Sequence, residues 1–140
     1  MKRRIYLDSS VLIAIAEGEA EIAERALAIL DDPNDPVDIV LSEAVRLEVL
    51  PKRLRELKKR PEVRQIEALF QGAATVVSCF DQPIWQKAIE EVEKYWLQAL
   101  DALHVAAARS AGADELLTAE GPKKSICKTH SLPVRSIREA

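Results

Sequence analysis

Residues 5–14 read IYLDSSVLIA. The apolar run Ile5-Tyr6-Leu7 ends in an acid and two hydroxyls, Asp8, Ser9 and Ser10, and a second apolar run follows at once. β-Branched and aromatic residues suit a short buried strand, and Asp-Ser-Ser suits the start of a helix. A strand therefore runs directly into a helix, with a carboxylate at the junction. That carboxylate has two readings. It caps the helix by accepting from the first free N–H groups, or it holds a metal ion.

The same alternation continues along the chain. Short β-like runs are Ile5–Leu7, Val37–Leu41, Ala74–Ser78, Glu115–Thr118 and, shortest, Pro133–Val134. Helical patterns lie between them. Glu19 to Asp31 has Ile22, Ala26, Ile29 and Leu30 at helical spacing, and Pro33 and Pro36 end it. Ser42 caps a helix that continues past Glu48, Pro61 restarts one to about Gly72, and Pro83 opens another. The stretch LQALDALHVAAARSAG stops at Gly112. Strands separated by helices require crossovers, hence a mainly parallel sheet with helices on both faces. In such sheets, ligands sit beyond the carboxyl ends of the strands. Asp8 follows the first strand immediately, and Glu120 lies just past ELLT.

A chain of 140 residues, 48% apolar, fits one domain over residues 1–140 with a substantial core. The net charge of -3 gives no global signature for nucleic acid, so any such contact needs a local patch. The apolar run Val11 to Ala16 is too short for a signal sequence or a membrane span, and Asp8 to Ser10 interrupt the approach to it. A cytoplasmic protein with no membrane association is expected. Cys79 and Cys127 fit reduced structural thiols better than a disulfide framework.

Two helical acids complete the set. At 100° per residue, Glu48 falls between Ala44 and Val45 while Arg46 points away, and Asp101 shares a face with Leu97, Val105 and Ala108. Both carboxylates are expected to point inward. An ionised carboxylate buried alone is costly, and no lysine or arginine shares those two faces. A divalent metal satisfies several acids at once. Each acid also has a plainer reading: Glu48 as a surface pair with Lys52, Asp101 at the positive end of a helix starting near Leu97, Glu120 as a solvated loop residue. Glu17, Glu43, Asp81 and Asp114 read as surface or capping acids. His104, three residues after Asp101, reads as a structural histidine outside the core site.

The four segments YLDSSVLIA, SEAVRLEVL, ALDALHVAAA and GADELLTAE resemble, in that order, the successive signatures of PIN-domain ribonucleases, most of all the VapC-type toxins of toxin–antitoxin pairs. The resemblance spans almost the whole chain. It implies a three-layer α/β/α sandwich around a mainly parallel sheet, and an acidic pocket that binds Mg2+ or Mn2+ and cuts RNA. It maps Asp8, Glu48 and Asp101 onto the three core metal-holding acids. Ser10 matches the small polar residue near the first acid, and Thr118 the hydroxyl before the fourth acidic position. Glu120 stands where an aspartate is usual, which bears on a second metal site. The resemblance also implies a cognate antitoxin and a homodimer.

One basic stretch offsets the acidic average. PKRLRELKKRPEVR begins just after Glu48, and its Lys58, Lys59 and Arg60 are candidate contacts to RNA phosphates, with a solvated helix face as the alternative. The leading expectation is a metal-dependent endoribonuclease toxin. The alternative is a PIN-like RNA-binding or scaffolding module with weak or no catalysis, for which the Glu120 departure is the best support. A phosphatase or DNA nuclease on a similar site is a weaker third.

Overall fold

The computed structural model describes residues 2–49 and 61–138. Strands β1 (Arg3–Leu7), β2 (Val37–Ser42), β3 (Thr75–Val77), β4 (Glu115–Thr118) and β5 (Val134–Ser136) form one sheet in the order β3-β2-β1-β4-β5, every neighbouring pair parallel. All five expected strand positions are occupied. Central β1 pairs Arg3 with Val37 on one side and Ile5 with Glu115 on the other. Its residues Ile5, Tyr6 and Leu7 are buried, as are Val40, Leu41, Leu116 and Leu117 beside them. A strand covered on both faces needs no polar alternation, which is why these segments read as continuous apolar runs.

The helices are α1 (Ser9–Ala16), α2 (Ala20–Leu30), α3 (Glu43–Val49), α4 (Pro61–Ala68), α5 (Gln82–Tyr95) and α6 (Ala99–Ser110). A π-helical turn, Leu69–Ala73, follows α4 and is broken at Gly72, whose φ of 147 only glycine adopts readily. Asp81 caps α5 by accepting from Ile84 N at 3.0 Å, and Pro83 sits in its first turn. The helix ends at Trp96 in the left-handed region, φ 61, an uncommon conformation for a bulky residue. In α6, Ala102, Ala106, Ala107 and Ala108 are buried, and these small side chains let the helix lie close to the sheet.

Right-handed crossovers decide the layers. The chain steps from β1 to β2 to β3 in one direction, so α1 to α4 cover one face. It then returns across the sheet to β4, which puts α5 and α6 on the other. The connections leaving β1 and β4 therefore depart to opposite faces, which opens a crevice at the carboxyl ends of these adjacent strands. Asp8 N donates to Leu117 O at 3.0 Å, extending the β1–β4 ladder to the edge of that crevice.

A buried carboxylate fastens the far side. Glu91 of α5 accepts from the hydroxyls of Thr129 and Ser131 and from Arg109 Nη1 at 3.3 Å. It ties α5 and α6 to the loop preceding β5. Cys79 and Cys127 are both free thiols. Among the described residues, no helix is long and apolar enough to cross a membrane.

Candidate active site

Asp8 occupies the cap position of α1, yet its carboxylate makes no cap hydrogen bond. Instead Oδ2 accepts from Ser10 Oγ at 2.8 Å and from Thr118 Oγ1 at 2.9 Å. Those hydroxyls lie 3.1 Å apart, and Ser10 Oγ also accepts from Ala119 N at 2.9 Å. Asp8 is only 3% exposed. The ends of β1 and β4 thus hold one carboxylate in place across the crevice, and it is aimed there rather than spent on its own helix.

Glu48 lies on α3 at the lip of the same crevice. Its Oε1 accepts from Ser9 Oγ at 2.9 Å and from His104 Nε2 at 2.5 Å. The buried His104 reaches it from α6, with Nε2 also 3.6 Å from Asp8 Oδ1. The other ring nitrogen, Nδ1, is 2.8 Å from Tyr6 OH, and Tyr6 OH is 2.6 Å from Ser42 Oγ. Hydrogen bonds thus link Ser42, Tyr6, His104 and Glu48 in one chain. Burial raises the Glu48 carboxyl, but the hydrogen bond and charge of His104, with the Ser9 hydroxyl, outweigh it and leave its pKa below the usual value. Burial, above all, pushes the Tyr6 phenol well above its ordinary range, so it remains a neutral hydroxyl.

Asp101 stands in the first turn of α6. Burial raises its pKa, and the negative charges of Asp8 and Glu120 add to the rise against the opposing pull of a hydrogen bond from Ser125 and the nearby His104. Burial also raises the Cys127 thiol, with Asp8, Asp101 and Glu120 all contributing. These mutual influences place three of the acids in one electrostatic neighbourhood. Glu120 follows β4, and its backbone N donates to Thr118 Oγ1 at 3.1 Å. It lines one cavity with Glu48 and Asp101 and a second with Glu48, Ser9 and Ser10.

The donor set is hard oxygen throughout, four carboxylates and two hydroxyls, which is the chemistry of a Mg2+ or Mn2+ site. Among the described residues, no three acid, histidine or cysteine side chains stand close enough to enclose an ion. The donor chemistry fits a divalent cation. Asp8 is the fixed member, while Glu48, Asp101 and Glu120 sit at the cavity walls.

The PIN domain family matches the chain over residues 5–121, an interval that contains all four acids. The chain belongs to the PIN-domain family. Among curated proteins, no relative matches it by sequence. Solved structures match this PIN domain along nearly its full length. A toxin–antitoxin complex from Klebsiella pneumoniae aligns with TM-score 0.69 and 20% identity, covering 97% of this chain and 99% of that one. VapBC2 from Rickettsia felis, bound to a DNA fragment from its promoter, aligns with TM-score 0.67 and 15% identity over 95% and 98% of the two chains. Mycobacterium tuberculosis VapC20, a sarcin-ricin loop cleaving toxin, aligns with TM-score 0.61 and 19% identity over 84% and 90%. At these identities the likeness establishes the fold.

His104, set aside as a structural histidine in the sequence, lies beside these acids and bonds Glu48. The cue was present, since His104 falls one turn beyond Asp101 on α6. What the sequence withheld was that Tyr6 and Glu48 would meet its two nitrogens from other elements. Ser9 was likewise read only as a capping residue, and its hydroxyl serves Glu48 instead. Lys58, Lys59 and Arg60 lie outside the described residues, as does Lys52, the alternative partner of Glu48.

Proposed function

We propose that this PIN domain is a metal-dependent endoribonuclease and the toxin of a toxin–antitoxin pair. The observation that carries the reading is the meeting of Asp8, Glu48, Asp101 and Glu120 at the sheet's switch point, with Ser10 and Thr118 holding Asp8. Asp8, Glu48 and Asp101 would hold a Mg2+ or Mn2+ ion, with Glu120 reaching it directly or through water. When bound, such an ion orients a phosphate and lowers the pKa of an attacking water. Ser10 and Thr118 fix Asp8 and are not assigned as nucleophiles, because among the described residues no histidine–acid pair meets either hydroxyl. Glu48 and Asp101 bring charge to the lip, where His104 orients Glu48.

The RNA substrate is supported by the VapC20 neighbour, which cleaves the sarcin-ricin loop, and the antitoxin by neighbours that are toxin–antitoxin complexes. A pocket of acids also invites inhibition by a partner's arginine or lysine, which displaces metal or substrate. Lys58, Lys59 and Arg60 are proposed contacts to RNA phosphates, and the protein is proposed to work in the cytoplasm. A second copy of the chain is the proposed occupant of the outer face of α5. There Trp85, Ile89, Val92 and Trp96 recur at intervals of four, three and four and stay exposed, Trp96 at 80%. Together they leave on the order of 400 Å2 of apolar surface in water, the size of the largest patch on a typical monomer, which is often functional.

The alternative, an RNA-binding module with weak catalysis, is favoured by two observations: Glu120 in place of an aspartate, and acids that do not yet enclose an ion. A metal titration of cleavage on an RNA pool separates the two. The nuclease cuts only with Mg2+ or Mn2+ and leaves 5′-phosphate and 3′-hydroxyl ends, whereas the binding module retains RNA uncut at every metal concentration.

A further inference from the structure

Two cavities meet at the acids. The larger, about 630 Å3, is bounded by Ser9, Ser10, Glu19 and Arg138. The smaller, about 330 Å3, is bounded by Gln98, Leu100, Asp101 and Ser125. Three side chains line both: Glu48, Glu120 and Lys124. Lys124 is thus the one cation at the junction among the described residues.

We infer that Lys124 is a positioning residue for RNA: it holds a backbone phosphate beside the acids while a single strand passes from one cavity into the other. The inference rests on the nuclease reading of the site.

An acidic crevice repels a polyanion. A divalent ion offsets that repulsion at one phosphate, but an internal cut needs the strand held on both sides of it. A cation at the boundary of the two cavities meets that need. Lys124 is exposed, and among the described residues its ammonium forms no ion pair. Arg138, the other cation of the larger cavity, is already committed. Its Nη1 pairs with Glu19 at 2.7 Å and its Nε donates to Ala119 O at 2.8 Å. Arg138 therefore shapes the wall while Lys124 remains available.

The backbone beneath Lys124 is fixed. Its N donates to Gly121 O at 3.0 Å, and its O accepts from Cys127 N at 3.0 Å, starting the 3-10 turn Ser125–Lys128. Ser125 Oγ accepts from Gln98 N at 2.8 Å, tying the turn to the start of α6. Ser136 Oγ donates to Glu120 O at 2.6 Å from the other side. The lysine's flexible stem therefore carries a compact point charge from a hydrogen-bonded base, which suits a phosphate on the flanking strand.

The test uses the full chain and a fluorescent single-stranded RNA, whose binding is read by anisotropy at several salt concentrations in a chelator, where no cleavage occurs. Wild type, Lys124→Gln, Lys124→Arg and the distant control Lys87→Gln are compared. Lys124→Gln is expected to weaken binding roughly threefold and to lower the salt slope by about 0.7, one phosphate contact on a single strand. Lys124→Arg restores the slope, and Lys87→Gln matches wild type. With cleavable RNA, Lys124→Gln raises KM while kcat stays near wild type. If wild type cleaves but Lys124→Gln keeps its affinity, slope and KM, the role of Lys124 is overturned and the nuclease reading stands. If wild type neither binds nor cleaves RNA, both fall.

Discussion

His104 Nε2 lies 2.5 Å from Glu48 Oε1, and this contact joins the buried floor of the domain to the lip of its acidic crevice. His104 comes from α6 and Glu48 from α3, so one side chain fixes the relative placement of elements on opposite sides of the sheet edge.

Replacing His104 should therefore cost both stability and activity. His104→Ala opens a cavity and strips Tyr6 and Glu48 of a partner, a loss of about 2–4 kcal/mol measured by urea melts. His104→Gln keeps a donor near Glu48 and should lose less stability. If the histidine positions Glu48, His104→Gln will need more Mn2+ than wild type to reach half-maximal cleavage. An unchanged metal requirement would leave it a purely structural residue.

Neutralising the acids should remove function without unfolding the chain. Asp101→Asn discharges a carboxyl whose ionisation burial and its acidic neighbours oppose, so its melting temperature without metal should equal or exceed that of wild type. Asp8→Asn can keep one oxygen for both Ser10 and Thr118, which meet the same Oδ2, but it sets an amide nitrogen where Oδ1 faces Ser9 and His104, and it should be slightly destabilised. Circular dichroism melts rank the variants, and cleavage assays should find Asp8→Asn, Asp101→Asn and Glu48→Gln inactive.

Added metal should stabilise wild type by linkage. At ion concentrations of about ten times Kd the gain is about 1.4 kcal/mol, and the melting temperature rises accordingly. The Asp8→Asn/Asp101→Asn double variant should show no rise. A calorimetric titration that finds no binding to wild type, with or without RNA, contradicts the metal site.

The fold's outer fastening is separable from the site. Glu91→Ala leaves Arg109, Thr129 and Ser131 without their shared acceptor and should destabilise by about 3–5 kcal/mol. Well below its melting temperature, the variant should retain the wild-type metal requirement. A changed metal requirement would show that the clamp also shapes the site.

Self-association should depend on α5. Sedimentation at micromolar concentrations should find a dimer for wild type and a monomer for Ile89→Glu and Trp96→Lys. A monomeric wild type would rule out a second copy as the occupant of this face.

The inner strands β1, β2 and β4 were legible because their buried segments read as apolar runs, whereas the partly buried edge strands β3 and β5 were legible only as short β-like stretches between helical patterns. Asp8 and Glu120 were legible as site candidates from strand ends alone, since a parallel sheet directs its ligands there. Glu48 and Asp101 were legible from helical faces, though both sit nearer the lip than a fully inward reading implies. Tyr6, Ser9 and His104 were not, because their partners lie on other elements and no local spacing encodes such contacts. Ser42 preceded its helix as expected, but its hydroxyl is engaged with Tyr6, a pairing set by the β1–β2 register.

The central claim is metal-dependent cleavage of RNA by these carboxylates. Its most direct test is the incubation of purified wild type and the Asp8→Asn/Asp101→Asn variant with a total RNA pool, in Mn2+ and in a chelator, with product ends mapped. The account predicts discrete internal cuts bearing 5′ phosphates for wild type in Mn2+ alone, and intact RNA in the other three samples. Equal cutting by the variant, or by wild type in chelator, would contradict it.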